Sequence, residues 1–310
     1  MRFALGGDTL LQNVEGESLM PVRRFIPALL LAVLCQPLVP VAETLPGPGT
    51  PTSAATPVRL VSTDAAVTEI LVSLGVSDRL VAVDNSSALP AARSLPRLGY
   101  HRALSAEGLI GLAPDLVIGS EHMGPPHVLD TLERADIEVL KLSSPKSLEQ
   151  LEANIGAVAT AVGSDRGTVM RAELGTAARQ LQSLALSGRR VAFLLRGEGG
   201  KLRLAGRNTG GAGFIELLGG ANVADYVAYR SITPEALLQL APDILLVAET
   251  VAGDPVSLVE QYPILRFSPA VGEQQVYRVE ASSLVAGISM SALREAERIL
   301  RQANQAWAQR

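Results

Sequence analysis

A tyrosine and an arginine stand two residues apart, at Tyr100 and Arg102, in the stretch LGYHRALSAEGLIGLAPDLVIG that runs from Leu98 to Gly119. Aromatic residues make up only 4% of the chain, so each tyrosine is a candidate for a task. A free phenol titrates near pH 10 and is protonated at neutral pH; a nearby cation favours the phenolate. In extended chain, residues two apart point the same way, so Arg102 is expected to reach the Tyr100 oxygen and His101 to face away into solvent. Gly99 gives the chain freedom of approach just before the tyrosine. Beyond the apolar run Leu116 to Gly119 come His122, Met123 and His127. Loops at the carboxyl ends of strands line the ligand crevice of open α/β sheets, which makes His122 and Met123 candidates for ligand contact. His127 is expected to begin the next helix.

A cousin of this stretch recurs at Ala228 to Val247, AYRSITPEALLQLAPDILLV. Glu107 matches Glu235, and Ala113-Pro114-Asp115 matches Ala241-Pro242-Asp243, at a constant offset of 128 residues. That is far longer than the roughly 20 to 50 residues of a solenoid period, so it predicts two similar lobes. Both glutamates fall in the first turn of a predicted helix, where the helix dipole favours an acid. Tyr226, Tyr229 and Arg230 occupy the loop equivalent to that of Tyr100 and are expected to wall a ligand cleft, as an aromatic face and a carboxylate-binding guanidinium. Because the repeat sets Ala228 opposite Tyr100, Tyr229 is assigned to lining. Arg207 and Arg196 follow second-lobe strands and are weaker candidates for a ligand carboxylate.

These residues need a scaffold of alternating strands and helices, and the sequence supplies one. Apolar runs at 58–62, 80–83, 116–119 and 138–142 alternate with helical patterns at 65–74, 105–112, 128–135 and 147–162. This is the signature of a parallel sheet with helices on its faces. A pattern of about 22 residues over 165–186 predicts a helix roughly 33 Å long that ties the lobes together. The alternation then restarts with strands at 190–195, 202–205, 244–247 and 275–279 and ends in a helix over 289–306. The domain expectation is a lobe over 58–164, the long helix over 165–187 and a second lobe over 188–310.

Ahead of this lie an extension and export signal over 1–42 and a Pro/Thr/Gly/Ala-rich linker over 43–57. Met20-Pro-Val-Arg-Arg supplies the basic start, Phe25 to Val41 the apolar stretch and Ala42 the cleavage position, so Met20 is the expected start. The core of that stretch is too short to span a bilayer, which takes about 20 apolar residues. Cys35 is the single cysteine, which excludes an internal disulfide and any thiolate cluster. Lipidation of Cys35 is the other reading of this segment, although Leu34 is larger than the residue such a signal prefers. Net charge is −4, with no basic stripe for nucleic acid. No GxSxG, HExxH or P-loop is present, and Gly210-Gly-Ala-Gly lacks the register of a dinucleotide loop.

Two Rossmann-like α/β lobes joined by one long helix behind an export signal resemble the helical-backbone periplasmic binding proteins of metal-chelate ABC importers. The pattern GY, x, R, x, LSAEG, LAPDLV resembles their haem-binding members, and so do Leu204-Ala-Gly-Arg-Asn-Thr and Leu217-Leu-Gly-Gly-Ala-Asn. The resemblance implies a periplasmic protein that is not an enzyme and hands haem to an inner-membrane permease dimer. It implies Tyr100 as axial ligand to Fe(III), Arg102 as its support, and Glu107 and Glu235 as docking points for arginines of the permease. Tyrosinate is an established axial ligand type for haem iron. Where haem-binding members tend to have small residues, this chain has His122-Met123, which leaves an extra ligand or a second haem open. A ferric siderophore or cobalamin is the alternative cargo, and an α/β enzyme using a nucleotide or haem the alternative class.

Overall fold

The computed structural model describes residues 58–249, 258–284 and 287–309, so the expected signal, Met20, Cys35 and the linker lie outside the described residues. The first half runs β1 (Leu60–Ser62), α1 (Ala65–Ser73), β2 (Leu80–Val83), α2 (Ala106–Ile110), β3 (Leu116–Ser120), α3 (Pro126–Arg134), β4 (Glu138–Leu142) and α4 (Leu148–Val162). Its four strands form a wholly parallel sheet in the order β2-β1-β3-β4. β1 and β3 are buried along their whole length, as expected of central strands covered by helices on both faces.

The chain continues through α5 (Arg166–Ser183), β5 (Arg190–Arg196), β6 (Leu202–Ala205), α6 (Gly210–Leu217), β7 (Ala221–Asn222), β8 (Tyr229–Ser231), α7 (Pro234–Gln239), β9 (Ile244–Glu249), α8 (Leu258–Gln261), α9 (Pro269–Gly272), β10 (Val276–Val279) and α10 (Met290–Ala308). The second sheet has the order β10-β9-β5-β6-β8, with β7 also paired to β5. It is mixed: β5, β9 and β10 are parallel, while β6 runs antiparallel to both β5 and β8. The expectation of parallel strands throughout is corrected at β6, which returns from β5 through a short connection. β8 was expected to be loop; its register with β6 places Tyr229 beside Ala205.

The repeat is built twice in detail. Ser105 caps α2 by accepting from Gly108 N–H, and Thr233 caps α7 by accepting from Ala236 N–H. The alanine after each helix, Ala113 and Ala241, is left-handed, at φ 46° and 42°. Each following aspartate accepts a backbone N–H from the start of the neighbouring strand: Arg59 to Asp115 at 2.6 Å, and Arg190 to Asp243 at 2.8 Å. The guanidiniums of the same two arginines donate to the carbonyls of Leu112 and Leu240.

Helix α5 ends at Ser183 and packs on α4, α6 and α10. A single apolar cluster runs from Leu60 and Leu71 through Met170 and Leu174 to Phe193, Phe214 and Leu300. Phe193 and Phe214 meet edge to face, 6.2 Å apart. The glycine run before α6 has a packing reason, since a Cβ on Gly211 would lie 2.7 Å from the Phe193 ring and one on Gly213 2.3 Å from the Lys146 carbonyl oxygen.

The buried Glu69 ties α1 to the start of α10. Its carboxylate accepts Ser291 N–H at 3.0 Å and the Arg294 guanidinium at 3.0 Å, at the start of α10. Glu69→Ala should cost about 1–3 kcal/mol, because it removes a buried, charge-assisted acceptor from the half-buried Ser291 N–H and from Arg294. Arg294→Ala, at an exposed head group, should cost below about 1 kcal/mol. Urea unfolding checks both, with the midpoint shifted and the slope unchanged.

Candidate functional site

Since β1 to β4 are all parallel, the loops after β2, β3 and β4 leave from one edge of the first sheet. These loops carry Tyr100, His122 and Lys146 respectively. Backbone hydrogen bonds hold them in place. Leu98 N–H donates to Val83 O, and Asn85 N–H to Gly99 O. Gly124 N–H donates to His101 O at 3.0 Å, and Leu104 N–H to Gly124 O at 2.9 Å. The third loop joins through Glu121, whose N–H donates to Leu142 O and whose carboxylate accepts Ser144 N–H.

Tyr100 is 56% exposed, although its neighbours in the loop are fixed. Gly99 has φ 85°, a left-handed conformation that glycine adopts without strain. Among the described residues the Tyr100 hydroxyl has no hydrogen-bond partner. The segment is not extended: Ala103 N–H donates to Tyr100 O at 2.8 Å, closing a turn. That turn corrects the expected parallel display of Tyr100 and Arg102, and no hydrogen bond or cation–π contact joins them. Arg102 is exposed and acts electrostatically on His122 instead.

His101 is also corrected. It is 3% exposed, with its ring 4.4 Å from that of Tyr100 and its Nδ1 3.8 Å from an Asp84 carboxylate oxygen. The turn rotates it inward, onto a buried polar layer. Asp84 accepts from the hydroxyls of Ser86 and Ser87. Asp64 accepts Val67 N–H at 2.9 Å and Ser120 N–H at 2.8 Å. Burial raises the Asp64 carboxyl above the usual range, against the lowering effect of those two N–H groups.

Met123 was expected at the ligand and is a core residue, 5% exposed and packed with Val61, Val117 and Leu129. A Cβ on Gly119 would collide with its sulfur, so the strand end and Met123 fit only together. His127 lies in the first turn of α3. His122 is half-buried; burial, then the Arg102 guanidinium, lowers its pKa, Glu121 opposes them, and His101 and Lys146 lower it further.

In the second half, Tyr229 is half-buried and its oxygen accepts Gly211 N–H at 3.1 Å, which gives it a structural task at the start of α6. Burial raises this phenol above its ordinary range, against Gly211, Thr209 and Arg203, so it is protonated at neutral pH. Arg230 stacks on Tyr226 at 4.5 Å, and Arg207 is exposed beside Val227. The structure does not gather Tyr226, Tyr229, Arg230 and Arg207 on one patch: Tyr229 faces the cluster of Ala205 and Phe193, whereas Tyr226, stacked with Arg230, lies on the other face of β8 with Leu204. Arg196 ends β5. Glu107 and Glu235 are both exposed in first turns, of α2 and α7. Lys146 had escaped the sequence reading, because only the pairing of the three loops brings it to His122.

The family model described as periplasmic binding protein matches residues 60–282. The chain belongs to this family. Its members serve ABC transporters as substrate-binding proteins. Among solved structures, the periplasmic heme binding protein HutB of Vibrio cholerae is 30% identical with a TM-score of 0.74, covering 80% of this chain and 99% of its own. A periplasmic heme binding protein from Pseudomonas aeruginosa is 30% identical with a TM-score of 0.70, covering 80% and 92%. A vitamin B12-binding protein of Vibrio vulnificus is 33% identical over 98 residues, 31% of this chain. That match spans only 36% of the curated relative's length.

The His122 environment yields a prediction. Its imidazole should titrate below the ordinary value near 6.5, because burial and the neighbouring cations disfavour the charged ring. Lys146→Gln should move that midpoint upward, followed by histidine proton NMR against pH.

Proposed function

We propose that this protein binds haem and delivers it to an inner-membrane ABC importer. The cargo sits in a cleft between two lobes, over the loops that carry Tyr100 and His122, with Tyr100 as axial ligand to ferric iron. The observation that carries the reading is Tyr100 itself, an exposed phenol on a loop tied down by backbone hydrogen bonds. An exposed aromatic on a fixed loop meets a ligand with little further loss of chain entropy. A phenolate is a hard anion and suits ferric iron, and coordination stabilises it against its high intrinsic pKa. Among the described residues no group of three His, Cys, Asp or Glu side chains could hold a bare metal ion. A lone phenol therefore fits a metal that brings its own equatorial ligands, as haem does. The likeness to two solved heme binding proteins, each at 30% identity over four-fifths of the chain, supports the same cargo.

Cobalamin is the second reading, favoured by the vitamin B12-binding relative over its shorter match. The proposed route places the protein in the periplasm, exported from Met20, with Glu107 and Glu235 docking to cationic residues of the permease. The duplicated construction of α2 and α7 supports that docking, since a two-fold partner offers equivalent surfaces to both. No catalytic step is assigned.

Titration with ferric haem, followed by visible absorption, tests the cargo. The protein should saturate with a tyrosinate-type ferric spectrum, and Tyr100→Phe should lose that spectrum and bind at least about tenfold more weakly. Saturable binding of cobalamin with none of haem would sink the reading. Haem binding unchanged in Tyr100→Phe would move the ligand elsewhere.

A further inference from the structure

The two halves of the chain meet at the edge of the first sheet that carries Tyr100. Ser144, Pro145 and Lys146 follow β4, and their backbone packs on the second half. Pro145 O accepts Ile288 N–H at 2.7 Å. Gly287, just before Ile288, has φ 96°, and a Cβ there would lie 2.3 Å from Pro145 O. A Cβ on Gly213 would lie 2.3 Å from Lys146 O. Both obstacles are backbone atoms, which cannot swing aside as the end of a side chain can. Gly213 lies inside α6, where alanine is the better helix former, so the close approach of Lys146 and Ile288 is what calls for glycine. The loop is equally fixed on its own side. Asn154 Nδ2 donates to Ser143 O at 2.8 Å, Glu121 accepts Ser144 N–H, and Gln150 accepts Lys146 N–H. Gly287 and Ile288 are buried, and α10 starts two residues further on, where Glu69 grips Ser291.

We infer that Ser144-Pro145-Lys146 is a latch that holds the two halves at one spacing, so that the cargo cleft has its width before the cargo arrives. The inference rests on the reading of a cleft between the halves and adds what sets its width. Helix α5 ties the halves through one continuous run of chain, and a single tie leaves a pivot. A second contact, at the edge that carries Tyr100, removes it. Pro145 and Lys146 act here as positioning residues, since their carbonyls meet glycines of the second half. A cleft fixed in advance costs little further ordering when a ligand binds. The same latch fixes the spacing of Glu107 and Glu235, which lie on opposite halves.

The test measures the distance between nitroxide labels at Glu107→Cys and Glu235→Cys by pulsed electron resonance, in the full chain carrying Cys35→Ser. The labelled parent should give one narrow distance, the same without and with ferric haem. Gly213→Ala should broaden it in the unloaded protein and weaken haem about tenfold, with the tyrosinate-type spectrum kept. Pro145→Gly frees the loop without adding an atom, so it cannot fail through a clash, and should broaden the distance as well. Gly211→Ala, which meets Phe193 and Ala205 inside the second half, should leave the distance narrow. A parent distance that is broad, or that shifts when haem binds, overturns the latch. So does a distance as narrow in Gly213→Ala and Pro145→Gly as in the parent, or one broadened equally by Gly211→Ala. A narrow parent distance, broadened by the two latch variants, in a protein that binds no haem leaves the latch standing and removes the haem reading.

Discussion

The carboxylate of Asp64 is the tie on which the site depends. It is 1% exposed and accepts N–H groups from the start of α1 and the end of β3. One oxygen caps a helix, and the other fixes the point where the central strand gives way to the loop of His122. That loop in turn grips the Tyr100 loop through the backbone of Gly124. A buried acid costs free energy unless it is hydrogen-bonded, and two backbone N–H groups meet that need here. Asp84 and His101 complete the layer beneath Tyr100. The exposed phenol thus stands on a buried, polar and tightly connected floor.

The second constraint is duplication. Each half closes its helix with a left-handed alanine, a proline and an aspartate that returns to the first residues of a neighbouring strand. The same small device fixes α2 and α7 against their sheets and leaves Glu107 and Glu235 exposed at matching positions. The halves differ where the sheets differ. The short return of β6 inserts an antiparallel strand and turns the segment equivalent to the Tyr100 loop into β8. Tyr229 then anchors α6 and is protonated, which explains why only one half presents a free phenol.

Much of this was legible in the sequence because its causes are local. The strand Leu80–Val83, the caps Ser105 and Thr233 and the paired Ala-Pro-Asp segments follow from residues within a few positions of one another. Causes at long range were not legible. His101 was read as solvent-facing on the assumption of extended chain, and a single turn bond from Ala103 to Tyr100 reversed it. Met123 reads as a ligand residue in a loop, yet the absence of a side chain at Gly119 makes room for its sulfur in the core. The run Gly210-Gly-Ala-Gly is explained by Phe193 and by the carbonyl of Lys146, neither of which is near it in sequence. Lys146 itself became visible only when three loops converged.

The proposed function stands or falls on a bond between Tyr100 and the iron of a bound haem. A crystal structure of the protein grown with ferric haem tests it most directly. The expected result is one haem face over the Tyr100 loop with the phenol oxygen bonded to iron. Haem bound with Tyr100 away from the metal, or iron ligated by Tyr226 or Tyr229, would contradict it.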